Sequence, residues 1–215
     1  MNKLFSVKET ILYSVRALLE HPWYFIKLFL MWIGFSFIVL VPIFALFSSV
    51  ALFGVIMPAA FDNLVFIILA TLFLLAYFLS IIYIWYAPIK LLLHFYDTNS
   101  ATLSFGDFFR LFSISRLFRL LGVMILYGII VTLGLILFII PGIYFAIKLQ
   151  LAVYYMIDKN ISVSEAFRRS YAATTGNFWR ILAVDIIAAL FMYLIITIPI
   201  SYMMGVYMYR RLAKN

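Results

Sequence analysis

The fold is decided by residues 165–180, EAFRRSYAATTGNFWR, and by the segment that follows, residues 181–198, ILAVDIIAALFMYLIITI. The first stretch carries four charged side chains, and the second carries one, Asp185. The second stretch is apolar and long enough to be a membrane-spanning helix. The first stretch ends in a helix stop, Gly-Asn at 176–177, followed by Phe-Trp at 178–179, which is typical of a membrane boundary. We therefore expect a short helix that lies in the membrane interface and then turns into the bilayer.

The composition of the whole chain indicates the same environment. Of its 215 residues, 67% are hydrophobic and 11% are charged, and the mean hydropathy is +1.16. Globular domains are roughly 45–50% apolar and about 25% charged, and a chain of this size cannot hide so much apolar surface in one core. The apolar segments lack the alternation of membrane-barrel strands. We therefore expect an all-α, polytopic membrane protein, because helices satisfy their own backbone hydrogen bonds in lipid.

The sixteen Lys and Arg side chains fall into four clusters, separated by three nearly uncharged gaps. The clusters occupy residues 3–27, 90–119, 148–180 and 210–214. Because basic residues concentrate on the cytoplasmic side, we expect each gap to cross the membrane an even number of times. The pattern predicts six spans in three hairpins, with both termini in the cytoplasm. The predicted spans cover residues 23–50, 64–93, 117–140 and 141–157, with a last pair inside 179–209.

Turn-forming residues place the tips of the first two hairpins, at residues 54–63 and at Pro141-Gly142. The third hairpin is cramped, because residues 179–209 are too few for two spans of about 20 residues each. Two short helices that locally thin the bilayer are one solution. A single crossing with the tail outside is the other. The basic cluster at 210–214 favours two short helices, and the alternative stays open.

The opening of the first stretch recurs at the N-terminus. Ser162-x-x-Glu165 predicts a capping box, in which the serine caps the helix and the glutamate reaches back, and Ser6-x-x-Glu9 is the same motif. A weaker version begins at Ser104. The chain therefore predicts a single domain, 1–215, built from three repeats of an interfacial amphipathic helix plus a transmembrane hairpin. The repeat units cover about 4–97, 103–158 and 161–212. Convergence of membrane-entry helices on one composition is the alternative explanation.

Four segments carry a resemblance to a known family: residues 141–148 (PGIYFAIK), 155–158 (YMID), 164–170 (SEAFRRS) and 176–180 (GNFWR). With the closing helix at 198–212, they resemble the membrane domain associated with glycerophosphoryl diester phosphodiesterases and related YciC-like bacterial integral membrane proteins. The resemblance implies a six-helix domain of unknown function in the bacterial inner membrane. Phosphodiesterase chemistry in that family belongs to a separate soluble domain, so we do not expect it to carry over.

No constellation of residues predicts an enzyme. The chain has no cysteine, and it shows neither a His/Asp/Glu cluster at metal spacing nor a Gly-rich phosphate loop. His21 and His94 both fall at expected membrane boundaries. We therefore expect no catalytic, cofactor-binding or metal site, and no cofactor.

Intramembrane charge is the sharpest functional signal. Lys148 and Asp185 both lie inside expected spans, with Gln150 close by. Ionisable residues at such depth are costly and usually pair or line a polar pathway. Three interpretations are open: a structural Lys148–Asp185 ion pair, a lipid-headgroup or solute site formed by these residues, and two side chains that reach the interface separately.

Two classes of function remain. The first is a non-enzymatic scaffold, assembly factor or lipid-organising module whose basic cytoplasmic face attracts anionic headgroups. The second is a small transporter or lipid translocator that uses the intramembrane polar residues, and internal repeats are common in such proteins. The expected partners are membrane lipids, with other membrane proteins left open and no nucleic acid. The expected contacts with anionic lipid or at the cytoplasmic face are Arg116, Arg119, Arg168, Arg169, Arg180, Arg210 and Arg211.

Overall fold

The computed structural model describes residues 5–56, 64–111, 113–192 and 197–213. Within those ranges the chain forms ten α-helices and no β-strand, so the prediction of an all-α fold is confirmed. The predicted tip of the first hairpin falls largely on residues 57–63, outside these ranges. The helices are α1 (Val7–Glu20), α2 (Pro22–Ile56), α3 (Leu64–Thr98), α4 (Phe105–Arg110), α5 (Ile114–Leu137), α6 (Ile139–Leu149), α7 (Leu151–Lys159), α8 (Val163–Thr174), α9 (Phe178–Met192) and α10 (Ile198–Ala213).

Several of these helices are long and apolar enough to cross a membrane. The described part of the chain holds four candidate spans: Pro22–Ser49, Ala70–Thr98, Ile114–Leu137 and Ile139–Lys159. A fifth arises if α8 and α9, which form a bent pair, count as one span. Large apolar side chains such as Phe37, Phe44 and Ile136 are exposed, and soluble proteins rarely expose apolar surface so extensively. These features indicate a multi-pass membrane protein.

The last apolar segment explains why fewer candidates are found than the six spans that the sequence predicts. Helix α9 has 15 residues and α10 has 16, whereas a span needs about 20. Ser201 in α10 donates a hydrogen bond to the carbonyl of Ala188 in α9 (2.9 Å). Farther from the hairpin tip, Asp185 and Gly205 line one cavity. The two helices therefore run antiparallel, and their tip at 193–196 lies outside the described residues.

Helix α10 lies at the centre of the helix bundle. It packs against α1, α3 and α9, and the side chains of Met203, Met204 and Tyr209 are fully buried. The ring of Tyr209 meets that of Tyr155 edge-on, with 4.9 Å between centroids. Lipid tails are as apolar as these side chains, so helices in a membrane associate through close packing of this kind. The short closing helix thus ties the hairpins together.

The second hairpin turns earlier than the sequence predicts. The expected turn was Pro141-Gly142, but α5 ends and α6 begins on either side of Phe138, whose backbone is extended (φ −161°, ψ 143°). Pro141 lies instead in the first turn of α6, where its missing N–H is not needed. Gly142 faces Gly134 of α5 so closely that a Cβ on Gly134 would lie 2.9 Å from the Cα of Gly142. The two glycines therefore allow α5 and α6 to touch backbone to backbone.

Helices α1 and α8 begin at their predicted caps. The hydroxyls of Ser6 and Ser162 each accept the backbone N–H of the glutamate three residues later, Glu9 or Glu165, at 3.4 Å. Such a cap satisfies one of the unpaired N–H groups at a helix start. Helix α8 then meets α9 at a bend of 102°. This bend is the change of direction that the sequence predicts between an interfacial helix and the segment that follows it.

The second half of the predicted capping box is wrong for α8. Instead of reaching back, the Glu165 carboxylate accepts hydrogen bonds from Arg168 and Arg169 (2.8 and 2.7 Å). The two arginines lie three and four residues later on the same helix face, where they compete for the carboxylate. A complete box occurs in the weaker middle copy, where Ser104 and Asp107 cap each other at the start of α4.

Helices α1 and α8 also bury equivalent positions. Thr10 and Ser14 are fully buried in α1, and the residues 156 positions later, Ala166 and Ser170, are fully buried in α8. Small side chains at these positions allow each helix to lie close to its neighbours. The three-repeat architecture itself stays a prediction.

Candidate functional site

The three predicted intramembrane polar residues separate into two places. The side-chain amide of Gln150 donates a hydrogen bond to Oδ2 of Asp185 (2.8 Å). Lys148 points elsewhere, and its ammonium donates to the hydroxyl of Thr175 (3.0 Å). The predicted Lys148–Asp185 ion pair is therefore replaced by a Gln150–Asp185 hydrogen bond.

Helix geometry explains this correction. Residues two apart on a helix project about 200° apart, because a turn contains about 3.6 residues. Lys148 lies in the last turn of α6, and Gln150 is the residue between α6 and α7, with a backbone that stays helical (φ −59°, ψ −32°). Asp185 can therefore meet only one of them. The positions of residues in the sequence predict how deep each side chain lies in the membrane. They do not show which of the two helix faces points toward Asp185.

Lys148 lies in an aromatic setting beside α8. Its side chain is almost wholly buried, and its ammonium lies 4.7 Å from the ring centroid of Tyr171 and 5.6 Å from that of Tyr144. The backbone carbonyl of Lys148 accepts hydrogen bonds from the hydroxyls of Ser170 (2.8 Å) and Thr174 (3.2 Å). The cation–π contacts and the hydrogen bond to the Thr175 hydroxyl stabilise the ammonium in place of an anionic partner. Lys148 therefore connects α6 to α8.

The Asp185–Gln150 pair borders a cavity of about 400 Å³, which we call the Asp185 cavity. Four aromatic residues line it together with the pair: Trp85, Tyr127, Tyr154 and Tyr202. The remaining lining side chains are mostly aliphatic or methionine. A cavity of roughly 300–1,000 Å³ with a few polar groups is of the size that binds small molecules.

A second polar centre, the Arg210 ion cluster, was not predicted. The Arg210 guanidinium binds Asp158 through two hydrogen bonds (2.6 and 3.0 Å) and also pairs with Asp97. The hydroxyl of Tyr209 donates to the same Asp158 carboxylate (2.9 Å). Arg210 is only 8% exposed, because the cluster encloses it, and its role in lipid or cytoplasmic-face contact stays a prediction. The cluster joins the ends of α3, α7 and α10.

Further contacts bring more helix termini to that same end of the bundle. Arg211 in α10 pairs with Glu9 in α1 (3.7 Å). Arg180, in the first turn of α9, donates a hydrogen bond to the carbonyl of Phe5 (2.9 Å). Helix α5 begins at this end, because it pairs with α6 and α7 as a hairpin.

We call this the basic end of the bundle, because most of the predicted lipid-contact arginines are exposed there. Arg116 and Arg119 are exposed at the start of α5. Arg168, Arg169 and Arg211 keep about half or more of their side-chain surface exposed (78%, 46% and 50%) even while paired with glutamates. Their guanidinium groups therefore stay accessible to a ligand.

A second cavity, of about 430 Å³, opens at the basic end and is lined by Tyr155, Arg169, Asn177 and Leu212, among others. We call it the Arg169 cavity. Asn177 is 3% exposed, and its side-chain oxygen has no hydrogen-bond partner among the described residues. A buried polar atom without a partner is costly. Sequence reasoning missed Asn177, because Gly176-Asn177 was interpreted only as a helix stop.

Comparison with known proteins adds no functional assignment. No protein-family model, no curated protein and no solved structure matches the chain. The resemblance to the phosphodiesterase-associated membrane domain therefore stays a prediction. The described residues form an all-helical fold with four to five apolar candidate spans.

Proposed function

We propose that the protein is a non-enzymatic module of a bacterial inner membrane that organises anionic lipid at its basic end. The observation that carries the proposal is the Arg169 cavity, which is lined by both Arg169 and Asn177, and the Asn177 side-chain oxygen has no hydrogen-bond partner among the described residues. In this proposal the chain crosses the membrane six times, with the short helices α9 and α10 as the last two spans, and both termini lie in the cytoplasm. The basic end therefore faces the cytoplasmic leaflet, which is rich in anionic headgroups.

The chemistry of the cavity matches an anionic headgroup that carries hydroxyls. The hydrogen bond from Arg169 to Glu165 uses only the Nε nitrogen, and a guanidinium has five N–H donors in all. The remaining donors suit a phosphate, which arginine binds in a bidentate manner. A headgroup hydroxyl, such as that of phosphatidylglycerol, would give the Asn177 oxygen its missing donor.

The surroundings of the cavity support binding from the membrane. Trp179 and Trp23, in the first turns of α9 and α2, are exposed at 77% and 74%. Aromatic side chains of this kind mark the headgroup level of a bilayer. Each nearby Arg or Lys adds about 1 kcal/mol of attraction to an anionic leaflet. The headgroup would therefore enter the cavity sideways from the bilayer.

Native mass spectrometry of the protein in mixed phosphatidylglycerol and phosphatidylcholine micelles tests this function. We expect the native chain to retain phosphatidylglycerol preferentially. Arg169→Gln should weaken that retention about fivefold, the equivalent of about 1 kcal/mol. Asn177→Leu should also weaken it and should reduce the preference for a headgroup with hydroxyls over phosphatidic acid.

Arg168→Gln is the matched control. Arg168 is adjacent in sequence and shares Glu165 as a partner, but it does not line the Arg169 cavity. We expect its loss to change phosphatidylglycerol retention by less than the loss of Arg169. Equal retention by the native chain and Arg169→Gln would contradict the proposed function, as would an equal effect of both substitutions.

The Asp185 cavity favours a second candidate function, a small transporter or lipid translocator. This cavity lies between α9 and α10, where the polar Asp185–Gln150 pair meets an apolar lining. Polar residues at membrane depth commonly line substrate pathways. A flux assay in vesicles tests this alternative, in which Asp185→Asn should abolish transport and Glu20→Gln should not.

A further inference from the structure

Among the residues that the structure describes, the carboxylate of Asp185 has no cationic partner. Its hydrogen-bond donor is the neutral amide of Gln150, and no Lys, Arg or His lines the Asp185 cavity. Lys148, the nearest basic residue in sequence to this pair, is engaged with Thr175 and with two tyrosine rings. A charge in a low-dielectric interior is normally paired. A cation from outside the chain would supply the missing partner.

The aromatic lining indicates which cation fits. Trp85 and Tyr202 lie with ring centroids 6.0 Å apart at one side of the cavity, and Tyr127 and Tyr154 complete the aromatic set. Aromatic ring faces attract organic ammonium groups, and clusters of such rings bind quaternary and methylated amines. The phenolic hydroxyl of Tyr127 is committed to the carbonyl of Ala146 (3.1 Å), which fixes that ring in place.

A bare metal ion suits the site poorly. Ca²⁺ and Mg²⁺ take six or more oxygen ligands, whereas the described residues contain no group of three His, Cys, Asp or Glu side chains that could hold a metal. The hydroxyl of Ser201, another lining residue, already donates to Ala188. A volume of about 400 Å³ also leaves room for a molecule of ten or more heavy atoms.

The geometry points to an organic ammonium ligand: the Asp185 cavity binds an amine carried on an apolar body. The Asp185 carboxylate takes the charge, the aromatic rings surround the ammonium, and Val184, Met192 and Met208 contact the apolar body. The amine belongs either to a soluble compound or to a lipid headgroup such as phosphatidylethanolamine. Binding requires no transport and no anionic lipid, so this inference stands apart from the lipid-organising function. It concerns the same cavity as the transporter alternative and supplies the substrate class of that alternative.

Calorimetric titration of the purified protein in a neutral detergent tests the inference. The probes are benzyltrimethylammonium and neopentylbenzene, in which a carbon atom replaces the charged nitrogen, each corrected for uptake by empty micelles. We expect the ammonium to bind about tenfold or more tightly than its neutral isostere. Equal affinities would overturn the proposal. This comparison needs only the native chain, so it holds even if a variant fails to fold.

Substitutions then locate the site. Asp185→Asn keeps the shape of the side chain and should remove the preference for the charged probe. Trp85→Leu should weaken binding of the ammonium more than binding of the isostere. Glu20→Gln is the matched control, because it removes one carboxylate from an exposed pair with Arg16 and should leave both affinities unchanged. An unchanged preference in Asp185→Asn would contradict the assignment.

Competition distinguishes the two sources of the amine. Short-chain phosphatidylethanolamine and phenethylamine are each added to the protein with bound benzyltrimethylammonium. Displacement by the phospholipid identifies a headgroup site, and displacement by phenethylamine alone identifies a soluble amine. Displacement by neither contradicts an ammonium site. Since no anionic lipid is present, a negative result here leaves lipid retention at the Arg169 cavity as a separate question.

Discussion

Replacement of Arg210 by methionine is expected to lower the free energy of unfolding by about 3–5 kcal/mol, the typical result of breaking a buried ion pair from one side. Methionine has a similar length but no charge, so the Asp158 carboxylate would lose both hydrogen bonds from the guanidinium. Asp158 is itself mostly buried, with 10% of its side chain exposed. Reversible unfolding in mixed micelles, followed by far-ultraviolet circular dichroism, measures the loss.

Two further variants make this result specific. Arg16→Met removes an arginine whose side chain is 77% exposed and which pairs with Glu20 four residues later, so we expect a loss below about 1 kcal/mol. Asp158→Asn in the Arg210→Met background should recover part of the loss, because it removes the stranded charge. Similar losses for Arg16→Met and Arg210→Met would show that the Arg210 ion cluster does not hold the helix ends together.

The second large effect is expected from Gly134→Ala. A Cβ at this position would lie 2.9 Å from the Cα and 3.0 Å from the backbone nitrogen of Gly142. Backbone atoms cannot move aside as the end of a side chain can, so α5 and α6 must separate. Overpacking of this kind typically costs about 1–3 kcal/mol. The same unfolding measurement should show a loss of that size.

Gly128→Ala, on the same helix, provides the control. A Cβ on Gly128 would meet nothing within 4 Å, and alanine is favoured over glycine inside a helix by roughly 0.5–1 kcal/mol. We therefore expect this variant to be as stable as the native chain or slightly more stable. If both alanine variants behave alike, close contact between α5 and α6 is not what stabilises the hairpin.

Local features of the fold could be predicted from the sequence. Helix starts follow from side chains within three residues, so the caps at Ser6 and Ser162 were found. Long apolar runs predict the long helices, because a helix makes all the hydrogen bonds of its backbone within the same segment. The hairpin turn was misplaced by a few residues because Pro141 is equally acceptable in a turn and in the first turn of a helix.

The polar sites could be predicted only in part. Asp185 and Gln150 were both selected as candidate polar residues, and they contact each other, but the partner of Asp185 depends on which face of the helix each side chain occupies. The Arg210 ion cluster joins Asp97, Asp158 and Arg210, and the first and last of these are 113 residues apart. The spacing of residues in the sequence cannot predict a contact between side chains that are so far apart along the chain. Asn177 was not selected, because its place in the Gly-Asn helix stop already accounted for an asparagine at that position.

The proposed topology, with the basic end of the bundle in the cytoplasm and Ser49 of α2 on the outer side, can be tested by single-cysteine labelling. The native chain has no cysteine, so each variant reports without background. Ser49 and Ser164 are both exposed. Ser49 lies about 39 Å along α2 from Trp23, at about 1.5 Å per residue, which is more than the hydrocarbon core of about 30 Å.

A membrane-impermeant maleimide is added to intact cells and then to permeabilised cells that express Ser49→Cys or Ser164→Cys. We expect labelling of Ser49→Cys in intact cells and of Ser164→Cys only after permeabilisation. Labelling of Ser164→Cys in intact cells would place the basic end and the Arg169 cavity on the outer side and would contradict the proposed topology.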